Sequence, residues 1–294
     1  MSAEQSEAPV RAELPNGVEL HFIEKGQGPA VILLHGGMGD CKSWVGQIDA
    51  LAENHRVIAY SRRHSHPNRN FSGGPAHKIA TDVDDLLELG RHLRIGSAHL
   101  VGTSYGALVA LVFALAHPDS VLSLILAEPP LHQWARRTAA GTRLYTEFMD
   151  DVWGPAAKSF DLGDERRAMQ LLTDGIWGRP IFDSQPSCRG ELIMRNAAAM
   201  RALTRSPDPF PDLQRSAVAN VGIPTLLVHG EQTSDLHRCV IDELGDVMPI
   251  AARVEIPGAG HGSAQENRDG FRDAVLDFLN SPMSAARLGA IGLT

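Results

Sequence analysis

The hydrophobic pattern predicts short buried strands that alternate with helices. Apolar runs at 30–34, 98–101 and 121–126 have the length of buried strands. Residues 79–93 repeat apolar positions at helical spacing, and 107–116 read as an apolar helix. Such an alternation is typical of a parallel sheet with helices on both faces, so we expect an α/β fold.

The alternation stops after the third of these strands and resumes near the end of the chain. Residues 18–24 form an alternating strand after an Asn-Gly turn, which indicates an early β-hairpin. Between about 129 and 221 we predict helices only, at 136–152, 165–177 and 188–203. Strands then return at 225–228 and 252–256, followed by a helix at 270–279. We therefore predict a core of 11–128 and 222–281, a helical cap of 129–221, and tails of 1–10 and 282–294.

Composition and charge narrow the class of protein. The chain has 294 residues, and 43% of them are hydrophobic, as in a globular domain that buries its own core. The formal net charge of −8 argues against a nucleic-acid partner, because phosphate binding needs clustered positive charge. The first ten residues are polar, and the longest apolar run, 107–116, is too short to cross a bilayer. We therefore expect no membrane partner. Three scattered cysteines fit neither a disulfide framework nor a metal site, so we expect a cytoplasmic protein.

A candidate nucleophile lies between a predicted strand and a predicted helix. Gly102-Thr103-Ser104-Tyr105-Gly106 matches the pattern G-x-S-x-G. The turn must be tight enough that side chains two residues either side of the serine would clash, and glycine at both places removes the clash. Ser104 then projects from the sheet at a helix N-terminus, which favours developing negative charge.

An earlier glycine-rich loop supplies candidate oxyanion donors. His35-Gly36-Gly37-Met38-Gly39 follows the strand at 30–34. Acyl transfer places negative charge on the carbonyl oxygen, which two fixed backbone N–H groups can hold. We expect one from Tyr105, the residue after the serine, and the other from Gly37, with Met38 as the alternative.

The candidate base is the histidine of the last glycine-rich loop. The chain has 13 histidines, so position decides the choice. His261 stands in Gly258-Ala259-Gly260-His261-Gly262, after the last predicted strand, and is last in the order serine, acid, histidine. A loop at the same sheet edge can bring the imidazole within hydrogen-bond reach of Ser104.

Two carboxylates compete for the role of the acid that orients His261. An acid is expected shortly after the strand at 225–228, but its usual place holds Thr233, and Asp235 comes two residues later. Glu128 closes the buried strand that follows the nucleophile helix, where a carboxylate is costly without a partner. We favour Glu128 as the acid and keep Asp235 as the alternative.

These motifs together resemble those of the α/β-hydrolase superfamily, from Val18 to Leu279. The resemblance implies an α/β-hydrolase fold, a mostly parallel central sheet with helices on both faces and an inserted helical cap. This chain departs from the usual pattern at Thr233. Some members, including haloalkane dehalogenases and zearalenone-type lactonases, carry a glutamate after the strand following the nucleophile, and Glu128 is similar to that placement. Dehalogenases and epoxide hydrolases of this family use an aspartate nucleophile, so Ser104 argues against both activities.

The sequence thus predicts a serine hydrolase that cleaves carboxylic esters or lactones through an acyl-enzyme intermediate. We expect Trp134, Trp153, Trp177 and His132 to line the pocket of a small to medium-sized apolar substrate. No metal and no cofactor is expected. Alternatives are C–C bond hydrolysis, cofactor-free oxygenation or a non-catalytic ligand receptor on the same fold. A homodimer is an alternative to a monomer.

Overall fold

In the part of the chain that the structure describes, eight strands form a single sheet. The structure is a computed structural model that describes residues 8–70, 77–248 and 251–284, so most of both predicted tails, 1–7 and 285–294, lies outside the described residues. The strands are β1 Val10–Glu13, β2 Glu19–Lys25, β3 Ala30–Leu34, β4 Arg56–Tyr60, β5 Ala98–Thr103, β6 Val121–Ala127, β7 Thr225–Gly230 and β8 Ala252–Ile256. Their order is β1-β2-β4-β3-β5-β6-β7-β8. Strand β2 runs antiparallel to β1 and β4, and the other pairs are parallel.

Helices flank the sheet and fill the long connection between β6 and β7. They are α1 Val45–Leu51, α2 Ile79–His92, α3 Tyr105–Ala116, α4 His132–Ala135, α5 Ala139–Glu147, α6 Gly154–Asp161, α7 Glu165–Trp177, α8 Ser187–Arg195, α9 Ala197–Thr204, α10 Arg215–Ala219, α11 Asp235–Val247, α12 Ser263–Glu266 and α13 Arg268–Leu279. Shorter turns of helix occupy Cys41–Trp44, Phe148–Trp153, Pro118–Ser120 and Phe182–Ser184. No helix of the described chain combines the length and the hydrophobicity needed to cross a membrane.

Buried apolar side chains pack on both faces of the sheet. Every residue of β3 and β6 is buried, because these central strands are covered from both sides. Helix α3 is apolar nearly all round and packs between the sheet and α2. On the opposite face, α1 and α13 complete a second core around Trp44 and Phe271. The predicted mostly parallel sheet with helices on both faces is thereby confirmed.

Strand register brings the candidate site residues to one edge of the sheet. Leu34 pairs with Gly102 between β3 and β5, and Thr103 pairs with Ala127 between β5 and β6. Ala127 in turn pairs with Val228 in β7. Because parallel strands end at the same edge, the loops that follow β3, β5, β6 and β7 emerge side by side.

The insertion between β6 and β7 is helical throughout. Residues 128–224 are all described, and they contain α4 to α10 and no strand. The helix predicted at 188–203 is interrupted at Asn196. The side chain of Asn196 forms hydrogen bonds to loops of the core. Its amide Nδ2 donates to Asp40 Oδ2 at 2.9 Å, and its Oδ1 accepts from the backbone N–H of His66 at 2.9 Å. Arg195 adds an ion pair to Asp40, with 2.7 Å between Nε and Oδ2, so these contacts fix the insertion over the sheet edge.

Candidate active site

Ser104 sits in a strained turn between β5 and α3. Its φ angle is 50°, a left-handed value that a non-glycine residue rarely adopts and that costs on the order of 1–3 kcal/mol. A Cβ added at Gly102 would lie 2.6 Å from the backbone of α3, and one at Gly106 would lie 2.1 Å from the carbonyl oxygen of Leu34. Both glycines are therefore required by sterics, as the sequence pattern predicts. The turn places Ser104 in a cavity wall at the N-terminus of α3.

The glycine loop after β3 borders the serine. A Cβ added at Gly36 would lie 3.3 Å from Ser104 Cβ, and one at Gly37 would lie 2.6 Å from the sulfur of Met200. Gly37, Met38 and Tyr105 all line the same cavity as Ser104. The structure thus places the residues whose backbone N–H groups are predicted to hold an oxyanion around the same cavity as Ser104.

The buried side chain of Arg62 supports this glycine loop from the protein interior. Its guanidinium donates to the carbonyl oxygen of Gly36 at 3.3 Å and pairs with buried Asp82, also at 3.3 Å. Its backbone N–H donates to Nε2 of His35 at 3.0 Å. Burial, reinforced by the charge of Arg62, lowers the pKa of His35 to about 3, so the ring stays neutral and can accept this bond. The loop is therefore held in place by an interior network.

His261 and Glu128 form a buried pair. Nδ1 of His261 lies 2.6 Å from Oε2 of Glu128, and the two side chains are 4% and 1% exposed. The backbone N–H of Gly230 donates to Oε1 at 2.9 Å, and the hydroxyl of Thr233 donates to Oε2 at 2.7 Å. A carboxylate with these partners can keep its charge in the interior, and it directs the Nδ1 proton of His261 toward itself. Oriented in this way, His261 shares the cavity with Ser104.

The structure places the two candidate acids differently. Glu128 has a φ of 47°, so the chain bends sharply at the end of β6 and points the carboxylate at His261. Asp235 is exposed at the first position of α11, and no hydrogen bond or ion pair joins it to His261 in the described chain. Thr233, at the usual position of the acid, donates to Glu128 instead. The geometry favours Glu128 as the partner of His261.

A second imidazole, His237, packs against His261 and was missed by the sequence analysis. The two ring centres are 4.1 Å apart, and Nδ1 of His237 lies 2.7 Å from the hydroxyl of Ser234. Burial, followed by the electrostatic effect of the neighbouring imidazole of His261, lowers the pKa of His237 well below its ordinary value. The available signal was the Ser-x-x-His spacing at the start of a helix after β7, which puts both side chains on one face.

His132 lines the cavity beside His237, where the sequence analysis placed it. The two ring centres are 5.2 Å apart, and His132 also packs against Phe148 and Phe210. It is 1% exposed, and within the described chain neither ring nitrogen has a hydrogen-bond partner. Burial, with the charge of His261, lowers the pKa of His132 to about 3, so it is a neutral imidazole near pH 7.

A cavity of about 520 Å³ lies between the sheet edge and the helical insertion. Its walls combine the catalytic candidates with aromatic and apolar residues of the insertion, among them Phe148, Trp153, Trp177, Ile193, Met200, Leu203 and Phe210. Trp177 also stands edge-on to His261, with 5.3 Å between ring centres. Such a volume suits a small or medium-sized organic molecule.

Trp134 differs from the other predicted pocket residues. It does not line the cavity described here, and it is 2% exposed. Its indole N–H donates to the carbonyl oxygen of Leu213 at 2.9 Å, and the guanidinium of Arg215 lies over its ring. Trp134 therefore packs against other residues of the insertion.

Glu128, His237 and His261 are also a conceivable metal-ligand set. Their ligand atoms lie within 4.8 Å of one another. However, Nδ1 of His261 already faces Glu128, and both carboxylate oxygens accept hydrogen bonds. A metal ion would have to break this buried network, so the arrangement suits proton transfer better than metal binding.

Known proteins with similar sequences and structures cover nearly the whole chain. Epoxide hydrolase 3 of Xenopus tropicalis is 25% identical over 90% of this chain and 75% of its own length. The 2-(acetamidomethylene)succinate hydrolase of Mesorhizobium japonicum is 25% identical over 90% of this chain and 92% of its own. The crystal structure of the enol-lactonase of Burkholderia xenovorans superimposes with a TM-score of 0.73 at 21% identity, over 92% of this chain and all of that one, a likeness of fold.

A family sequence model decides the classification. The model of the alpha/beta hydrolase fold matches residues 29–268, which include the serine turn, the glycine loop, Glu128 and His261. This range begins just before β3 and ends at the first residue of α13. The chain therefore belongs to the α/β-hydrolase family and is a hydrolase.

Proposed function

We propose that this protein hydrolyses carboxylic esters or lactones through an acyl-enzyme intermediate on Ser104. One observation carries the proposal: a buried His261–Glu128 pair, 2.6 Å apart, shares a cavity with a serine held in a strained turn. This is the arrangement needed to activate a hydroxyl that is otherwise a weak nucleophile. The enol-lactonase with the similar fold is consistent with this class of substrate.

Acylation begins with attack of the Ser104 oxygen on the substrate carbonyl. Nε2 of His261 takes the hydroxyl proton as the new O–C bond forms, and Glu128 stabilises the resulting imidazolium. The backbone N–H groups of Gly37 and Tyr105 hold the oxyanion. The carbonyl–oxygen bond of the ester then breaks, and His261 gives the proton to the departing alkoxide. A lactone opens in the same way.

Deacylation repeats these steps with water. His261 takes a proton from water as its oxygen attacks the acyl carbon, and the serine–acyl bond breaks with return of the proton to Ser104. The product is a carboxylic acid. Hydrolysis of epoxides in this family needs an aspartate nucleophile, whose alkyl ester is then cleaved. Ser104 cannot fill that role, so the similarity to an epoxide hydrolase is not carried over to the activity of this chain.

An organophosphate that mimics the tetrahedral intermediate tests this proposal. We expect diethyl p-nitrophenyl phosphate to label Ser104 at one equivalent and to abolish turnover of p-nitrophenyl butyrate in parallel. Peptide mass spectrometry identifies the labelled residue, and a burst of p-nitrophenol reports acylation. Full activity after saturating exposure, or a label on another residue that tracks the loss of activity, would show that Ser104 is not the nucleophile. A protein that binds esters without turning them over would instead be a ligand receptor.

The insertion offers a matched pair of tryptophans for testing the pocket. Trp153 lines the cavity and packs on Phe210 with 4.6 Å between ring centres, whereas Trp134 lies outside it. We expect Trp153→Ala to shift the preference toward longer acyl chains, changing the ratio of kcat/KM for octanoate and butyrate esters by about tenfold or more. Trp134→Ala should lower the melting temperature and leave this ratio unchanged. If Trp153→Ala reduces activity uniformly along the ester series, the residue only packs the insertion.

A further inference from the structure

The wall of the cavity contains an arginine without an adequate anionic partner. Arg189 lies on α8, its side chain is 17% exposed, and it lines the cavity. Its guanidinium carries five N–H donors. Within the described ranges none of them makes a hydrogen bond, and the nearest carboxylate oxygen, on Glu266, is 3.7 Å away. An anion at this place would therefore gain strong charge-assisted hydrogen bonds.

The guanidinium lies beside the loop of the proposed catalytic base. A Cβ added at Gly262, the residue after His261, would lie only 2.5 Å from Nη2 of Arg189. The indole of Trp177 covers one face of the guanidinium, with 5.4 Å from Cζ to the ring centre. The planar fork of a guanidinium matches the two oxygens of a carboxylate.

Glu266 does not neutralise this site, because it serves the base loop. Its Oε2 accepts from the backbone N–H of Gly260 at 2.7 Å, and its Oε1 accepts from the indole N–H of Trp177. Arg179 approaches the same carboxylate at 3.9 Å. One carboxylate is thus shared between two loosely placed guanidinium groups while it clamps the loop.

The charged residues of the cavity wall are mostly cationic. Among the residues that the structure describes, they are Lys42, Arg189 and Arg268, against one carboxylate, that of Glu266. Burial and the neighbouring charge of Arg268 lower the pKa of Arg189, while Glu266 acts in the opposite direction. This local excess of positive charge stands out in a chain whose formal net charge is −8. It raises the local concentration of anions at the cavity.

We propose that Arg189 binds a free carboxylate on the substrate, so that the substrate is an ester or lactone with an apolar body and an anionic end. This inference rests on the proposed esterase or lactonase function and makes its substrate class narrower. The aromatic walls around Trp153 and Phe210 accommodate the apolar body, and Arg189 fixes the anionic end next to His261. Such an anchor positions the scissile bond against Ser104.

Paired substrates that differ only in the charge test the inference. Mono-p-nitrophenyl glutarate is compared with its methyl ester, and 4-acetoxybenzoate with its methyl ester, so that the carboxylate is tried in the acyl and in the leaving group. In at least one pair we expect kcat/KM of the acid to exceed that of the methyl ester by tenfold or more. Arg189→Gln should lower this acid-to-ester ratio by about 10- to 100-fold, as expected for a hydrogen-bonded charge pair. Arg189→Lys keeps the positive charge but loses the planar guanidinium. We expect its acid-to-ester ratio to lie between those of the wild type and of Arg189→Gln.

Arg179→Gln is the matched control, because it removes the same charge near Glu266 from outside the cavity wall. It should change the ratio by less than about threefold, given the small contribution of an exposed ion pair. Binding of the same four compounds to Ser104→Ala, measured by calorimetry, makes the comparison without turnover and should show the same preference. If the acid and its methyl ester have nearly equal kcat/KM in both pairs and bind equally well, Arg189 does not have this role. The same conclusion follows if Arg189→Gln lowers kcat/KM equally for the acid and for its methyl ester. Turnover of none of the four esters would count against the proposed function, and the binding data would then decide the role of Arg189 separately.

Discussion

Ser104→Ala is expected to reduce ester hydrolysis by about 10⁴- to 10⁶-fold, because it removes the nucleophile from an otherwise intact site. The oxyanion donors and the cavity remain, so a low residual rate should persist. The measurement is kcat/KM for p-nitrophenyl butyrate with protein freed of host esterases. Activity within tenfold of the wild type would exclude Ser104 as the nucleophile.

The strained backbone provides an internal control for this substitution. At a φ of 50° alanine is as strained as serine, whereas glycine adopts the angle readily. Ser104→Gly should therefore be more resistant to urea than Ser104→Ala, by about 1 kcal/mol, although both lack the hydroxyl. Equal stabilities would mean that the turn is relaxed in solution. Both variants should be equally inactive.

The sequence was informative where local sterics and strand order decide the structure. Gly102 and Gly106 predict the serine turn because any side chain there meets backbone atoms. A parallel sheet makes the ends of β3, β5 and β6 neighbours, so the glycine loop, Ser104 and Glu128 meet at one edge. These features follow from short stretches of sequence and a general rule of topology.

The sequence was less informative where long-range packing decides. A continuous helix was predicted at 188–203, but Asn196 interrupts it to bond Asp40 more than a hundred residues away. Trp134 faces Leu213 and Arg215 inside the insertion instead of the cavity. Helical periodicity does not specify which face of an inserted helix meets the core, so residues that line the pocket are harder to predict than residues of the turn.

His237 shows a different limit of sequence reasoning. A histidine near the start of a helix has many possible roles, and its meaning depends on what packs against it. Here it stacks on His261 and fills the space beside the Glu128–His261 pair. The sequence shows threonine at position 233, where the acid is usually found. That its hydroxyl donates to Glu128 could be learned only from the fold.

Glu128→Gln should lower kcat by about 10²- to 10⁴-fold with little change in KM, reasoning from the equivalent amide substitution in serine proteases. Glutamine keeps the size of the side chain and can still accept from Gly230, but it no longer offers a charged oxygen to Nδ1 of His261. The imidazolium then loses its stabilising partner and the ring its fixed tautomer. Asp235→Asn is the matched control, since Asp235 is exposed at the start of α11, and we expect it to lose less than about tenfold.

A second substitution tests whether the position or the identity of the acid matters. The hydroxyl of Thr233 lies 2.7 Å from Oε2 of Glu128, the same oxygen that faces His261. Thr233→Asp in the Glu128→Gln background should therefore return a carboxylate to the neighbourhood of Nδ1 and restore kcat by about tenfold or more. Melting temperatures of all variants separate loss of the acid from loss of the fold. A crippled Asp235→Asn enzyme beside a nearly normal Glu128→Gln enzyme would make Asp235 the acid, because only the residue that faces His261 in the reacting enzyme can carry a charge-dependent loss of this size.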